Sequence, residues 1–156
     1  MKYILNLFLE SNNNVVREIA ISSTDNLYQL HEIITKSCDL DNKELASFYV
    51  TNDNLDLLKE ITLLSFEENN QNLMIDTLIV DVLTKQQDKL IYVYDYLKMW
   101  RFLIELKKIS NLDIKEPKCI YNLGDFPKEA PEIIFEKNKD NLYDDSSLDD
   151  YDEYEE

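Results

Sequence analysis

The chain has 156 residues, 44% of them hydrophobic, which suits one globular domain or one domain with a tail. Its 16 lysines and arginines face 32 acids, and the net charge of −16 argues against a surface that neutralises phosphates. No apolar run approaches the ~18 residues that a spanning helix needs and no signal-peptide pattern is visible, so the expected compartment is the cytoplasm, with no membrane partner.

The first elements read clearly. "KYILNLFLE" (2–10) is apolar and loosely alternating, "SNNN" (11–14) is a turn, and "VVREIAI" (15–21) is a second strand, so the chain opens with a hairpin. Over 22–40 the period changes. Leu27, Leu30, His31, Ile34 and Cys38 fall on one helical face, with Ser23, Thr24 and Asp25 as candidate caps. "ASFYVT" (46–51) returns to strand character. A β-β-α-β start with a helix over one sheet face predicts an α+β fold with a mixed or antiparallel sheet.

The middle is less regular. Residues 52–72 read as a loop, a short apolar segment and a polar loop. Residues 76–89 suggest a short helix, with Leu78, Val82 and Leu83 facing inward and Asp76 or Thr77 near its cap. "KLIYVYDYLKMWRFLIELKKI" (89–109) reads as two strands, about 90–96 and 100–108, joined near Leu97–Met99. A continuous helix over 97–108 is the alternative, since no breaker interrupts it.

"EPKCIYNLGDFPKEAPEIIFE" (116–136) holds all three prolines and the single glycine, Gly124. It reads as an irregular segment packed on the sheet, with "EIIFE" as an edge strand. Average usage of ~7% would give about eleven glycines. Turns must therefore rely on the fifteen asparagines and on aspartate, and glycine-rich phosphate loops are absent. Residues 140–156 carry nine acids and no base, which leaves residues 1–139 at −7. The expected organisation is one α+β domain over 1–136 and a disordered acidic tail over 137–156. The tail reads as a solubilising extension, as a charge mimic of nucleic acid, or as a docking peptide for a basic surface anchored by Tyr143, Tyr151 and Tyr154.

Catalytic constellations do not emerge. His31 is the only histidine and sits on an apolar helix face, where a half-buried packing role is expected. Cys38 and Cys119 fit no metal-ligand spacing and read as free, apolar thiols. "DNLDLLKE" (53–60) resembles only the opening of a calcium loop and lacks its glycine. No catalytic, cofactor-binding or metal-binding residue is assigned, and no cofactor is expected. The candidates that stand out are Tyr92, Tyr94, Asp95 and Trp100, in "YVYDYLKMW". Asp95 is placed to accept backbone amides and fix a turn, or to contact a ligand. Trp100 is a core anchor or an exposed binding aromatic.

These segments carry a resemblance. "VVREIAI", "DNLYQLHEII" and "LASFYV" match the opening of the open-reading-frame-three-like family of a root-inducing plasmid, also labelled the TnpR passenger proteins of insertion elements. "YVYDYLKMWRFLIEL" is similar to that family's Y-x-Y-D-F-G-D-x-W signature, and "PKCIYNLGDFP" to a later element. The match spans roughly residues 1–135. Leu97 and Lys98 replace the signature's Gly-Asp, and the proline-acid cluster after Phe126 is degraded. The resemblance implies an α+β domain associated by name with mobile elements. A resolvase activity is not matched, because the sequence has no serine-nucleophile motif with clustered arginines. The leading expectation is a non-enzymatic protein-interaction module with a basic partner. The alternatives are a small-molecule or metal-dependent enzyme with a pocket near Asp95 and Trp100, and a transposase- or DNA-associated accessory.

Overall fold

The computed structural model describes residues 1–11, 14–64 and 72–127. They form one seven-stranded sheet beneath a single long helix. The strands are β1 (Lys2–Leu9), β2 (Val16–Ser22), β3 (Ala46–Thr51), β4 (Leu57–Thr62), β5 (Lys89–Tyr94), β6 (Trp100–Ser110) and β7 (Lys118–Leu123). Their order is β4-β3-β5-β6-β1-β2-β7, and every neighbouring pair is antiparallel. The sheet is thus antiparallel rather than mixed. An isolated parallel bridge, Thr62 to Leu73, stands outside its strands.

The opening hairpin forms as its alternation dictates. Tyr3, Leu5, Leu7 and Leu9 of β1 enter the core together with Ile19 and Ile21 of β2. Helix α1 (Leu27–Ser37) lies over this face and buries Leu27, Leu30, His31 and Ile34. Its cap is Asn26, not the preceding Ser23, Thr24 or Asp25. Asn26 accepts from Gln29 N at 2.9 Å, and the Gln29 side chain accepts from Asn26 N, a reciprocal pair that satisfies two exposed donors. Asp25 instead accepts from Ser22 N at 3.3 Å, within the turn.

Four expectations need correction. Residues 57–62, read as loop and apolar segment, form the edge strand β4. Residues 118–123, read as irregular, form the opposite edge strand β7, paired with β2. The short helix is a single turn, α2 (Ile79–Val82); Ile79 and Leu83 are buried, Val82 is half-buried, and Leu78 is exposed. Its first amide, Leu78 N, donates to Asp81 Oδ2 at 3.0 Å, so Asp76 and Thr77 are not the cap. His31 is fully rather than half-buried. Residues 97–108 settle as turn and strand, not helix. The expected edge strand at 132–136 and the acidic tail with Tyr143, Tyr151 and Tyr154 lie outside the described residues.

Two polar devices lock the layers. The His31 Nδ1 and the Tyr92 hydroxyl lie 2.6 Å apart, joining α1 to the middle of the sheet. Burial holds the His31 pKa below its ordinary value, although the Asn42 side chain and Glu32 oppose that shift. At the other end, buried Arg17 spreads its guanidinium over main-chain carbonyls. Nη1 donates to Val16 O and Leu123 O at 2.9 Å and to Gly124 O at 3.2 Å, and Nε donates to Ser37 O at 3.4 Å. One cation thereby ties the end of α1 to the end of β7. Gly124 follows at φ +81°, and a Cβ there would run into the Asn14 carbonyl.

Gly124→Ala is expected to cost about 2–3 kcal/mol and to lower Tm by about 5–10 °C in thermal unfolding followed by circular dichroism; an unchanged Tm would contradict the close approach. The lowered His31 pKa fixes a second outcome. The folded state binds its proton later than the unfolded chain does, so His31-linked stability is complete above the unfolded value of about 6.5 and is lost as pH falls below it. Urea unfolding between pH 7.5 and 5 should show a slope that His31→Phe reduces by up to about 1.4 kcal/mol per pH unit.

Candidate functional site

The signature candidates converge where β5 turns into β6. β5 is paired on both sides, and its residues Leu90 to Tyr94 are all buried. Tyr92 and Tyr94 point to the helix side of the sheet and belong to the same core as Trp100, Phe102 and Ile104 of β6. Tyr92 is spent on packing against Phe48 and Phe102 and on His31. Trp100 is 6% exposed and stacks on Phe126, with ring centres 4.9 Å apart.

Asp95 builds the turn. It takes the left-handed conformation at φ 64°, which aspartate tolerates better than most residues. Its N–H donates to Leu45 O at 2.8 Å and its carbonyl accepts from Met99 N at 2.6 Å. Its Oδ1 accepts from Leu97 N at 3.1 Å and Lys98 N at 3.2 Å. One residue therefore holds four backbone contacts, and Met99 closes the turn at φ 59°. Where the signature has Gly-Asp this turn has Leu97 and Lys98, and its left-handed positions fall at Asp95 and Met99. Leu97, at the tip, is 94% exposed.

Beneath the tip lies a cleft of about 360 Å³. One wall is the hairpin, with Tyr94, Asp95, Leu97, Lys98 and Trp100; the other is the segment after α1, with Asp39, Leu40, Asp41 and Glu44. Asp39 and Asn42, both left-handed at φ 56° and 58°, bend that segment back over the sheet. The Tyr94 hydroxyl pins it there. It donates to the Asp41 carboxylate and accepts from Lys43 N at 3.2 Å and Glu44 N at 3.4 Å. Burial, then the bond to Asp41, raises the Tyr94 pKa, while the same bond holds the Asp41 carboxyl below its usual range. Four carboxylates and one ammonium, Lys98, border the cleft, so its field is negative. The loop carboxylates Asp39, Asp41 and Glu44 are the residues that sequence reasoning did not single out.

The other polar groups are placed away from this cleft. The Tyr96 hydroxyl lies 2.5 Å from Ser47 Oγ, which donates to Glu60 Oε2 at 2.7 Å. Tyr49 also donates to Glu60, and burial, with that carboxylate, pushes its pKa up to about 12. Both cysteines are free; Cys38 is buried, and that burial raises its thiol to about 11, the reverse of nucleophile activation. Among the described residues no group of three or more histidine, cysteine or acidic side chains is arranged to hold a metal, and no helix is long and apolar enough to cross a membrane.

No curated protein is similar enough to match the chain. A solved structure does match: the "Crystal Structure of Protein of Unknown Function MM3350 from Methanosarcina mazei Go1", at 20% identity and a TM-score of 0.65, covering 78% of this chain and 68% of that one. At that identity the likeness shows the fold. The family profile for "Plasmid pRiA4b ORF-3-like protein" matches residues 3–156, nearly the whole chain. The chain belongs to the plasmid pRiA4b ORF-3-like family.

Proposed function

We propose that the protein is a non-catalytic interaction module, and that it recognises a basic protein segment through the β5–β6 tip and the acidic cleft beneath it. The observation that carries this reading is Leu97, an apolar side chain 94% exposed on a turn whose backbone is fixed by Asp95. A flexible loop would lose freedom on binding; this one has already lost it. Burying the leucine contributes about 1.5–3 kcal/mol, and the carboxylates at Asp39, Asp41 and Glu44 steer lysine and arginine towards it.

The enzymatic alternative has less support. Asp95 Oδ1 is committed to turn amides, Trp100 is packed, Tyr94 is committed to Asp41, and His31 lies in the core. A nucleic-acid backbone would meet carboxylates at this cleft. A cytoplasmic role and a link to mobile elements fit this reading and rest on the sequence and on the family's name.

Peptides with a central leucine or phenylalanine flanked by lysines should bind the full chain in fluorescence anisotropy, whereas glutamate-flanked versions should not. Leu97→Ser should weaken binding about tenfold or more without changing Tm, and added salt should weaken it further. Equal binding of both peptide sets, or no effect of Leu97→Ser, would sink the proposal. Asp95 separates the turn role from a ligand role. Asp95→Asn keeps an acceptor oxygen and is expected to leave peptide affinity within about twofold, whereas Asp95→Ala removes two amide bonds and costs about 1–3 kcal/mol of stability.

A further inference from the structure

After β7 the chain heads for the acidic cleft. Leu123, the last residue of β7, pairs with Val16 at the start of β2, and Gly124 then passes the Asn14 carbonyl. Two residues later the chain has reached β6. The Phe126 ring stacks on Trp100, with centres 4.9 Å apart, and on Phe102 at 6.0 Å. In the sheet order β2 and β1 separate β7 from β6, and β5 comes next in the same direction. Phe126 packs against the helix-side core, so the segment crosses this end of the sheet on the side where the cleft lies. The described residues end one step later, at Pro127, beside the cleft that Trp100 lines.

Four carboxylates line that cleft, Asp39, Asp41, Glu44 and Asp95, against one ammonium, Lys98. Lys43, in the same loop, acts on Asp41 as a second cation, so the local sum is −4 + 2 = −2. Asp95 is bonded to turn amides and Asp41 to Tyr94. Among the described residues no ion pair takes up Asp39 or Glu44. The next cation along the chain is Lys128, two residues beyond Phe126. Two extended residues span about 7 Å, and lysine's four-carbon stem adds reach. We propose that Lys128 is the internal occupant of the cleft, its ammonium folded back among the carboxylates of Asp39, Asp41 and Glu44, where a basic partner's lysine would otherwise sit. This rests on the reading of the cleft as a site for a basic segment and adds its regulation. The nearest opposing charge is Glu129; neighbouring side chains of an extended chain point to opposite sides, so Lys128 faces the cleft while Glu129 faces water. Phe126 already fixes the chain two residues away, so the contact costs little further backbone freedom and the tethered lysine acts at high effective concentration. A partner must displace it, while Leu97 stays open at the tip.

Zero-length carbodiimide cross-linking of the full chain at low concentration, with peptide mapping of the monomer band, reads the contact directly. The expected product joins Lys128 to Asp39, Asp41 or Glu44. It should fade with added salt and be absent from Lys128→Arg, which keeps the charge but lacks the reactive amine. A monomer in which Lys128 links only to acids of residues 140–156, or to none, overturns the proposal. Peptide affinity gives the second readout. Lys128→Gln should bind the lysine-flanked peptide about two- to fivefold more tightly in fluorescence anisotropy at low salt, with Tm unchanged. Lys128→Arg should stay within about twofold of the wild-type chain. An affinity that Lys128→Gln leaves unchanged overturns the proposal as well. If the peptide binds neither chain, the basic-partner reading falls, and the cross-link alone decides the internal contact.

Discussion

Strand β5 is paired on both edges and buried on both faces, so every polar group that it carries must find a partner inside the protein. Two tyrosines on the helix side meet that demand with different partners. Tyr92 reaches up to His31 and fastens the helix to the sheet; Tyr94 reaches sideways to Asp41 and fastens the loop that follows the helix. A phenylalanine at either place would pack as well and connect nothing. These two hydroxyls add directional ties between β5, α1 and the loop over residues 39–44, beside the apolar packing of α1 and the Arg17 contacts.

Glycine scarcity shapes the rest. Among the described residues, left-handed backbone occurs at Asp39, Asn42, Leu55, Gln87, Asp95 and Met99, and at the single glycine, Gly124. Where aspartate or asparagine takes the position, the side chain doubles as a hydrogen-bonding group, and the turn gains stiffness that glycine would not provide. The single glycine is kept where a backbone carbonyl approaches too closely for any side chain, at Gly124 against Asn14.

Most of the elements that could be read from the sequence have one wet and one dry face. β1, β2, α1, β3 and β6 carry a two- or 3.6-residue period because each is covered on one side; β5, buried on both faces, was legible instead as a β-branched and aromatic run. β4 and β7 were not legible, since they are the two edges and nearly all their side chains are exposed, which erases alternation. The one-turn helix α2 has too few residues to define a face, which is why Leu78 was misplaced. Asp95 as the holder of a turn was legible from its local setting. The cleft was not, because its walls are 53 residues apart at the bond from Tyr94 to Asp41.

The position of β1 has a consequence for how the chain is made. β1 lies between β2 and β6, so its second neighbour is complete only at Ser110. During synthesis at ~5–20 residues per second, the opening hairpin waits roughly 5–20 s with one edge unpaired. β2 waits longer still for β7. A bare strand edge invites pairing with another chain. Helix α1, complete at Ser37, can cover Tyr3, Leu5, Leu7 and Leu9 early, but the edge of β1 stays unpaired until β6 is made. The nascent protein is therefore most vulnerable to misassembly at its beginning rather than its end, and a chaperone that holds the first twenty residues would guard the step on which the sheet depends.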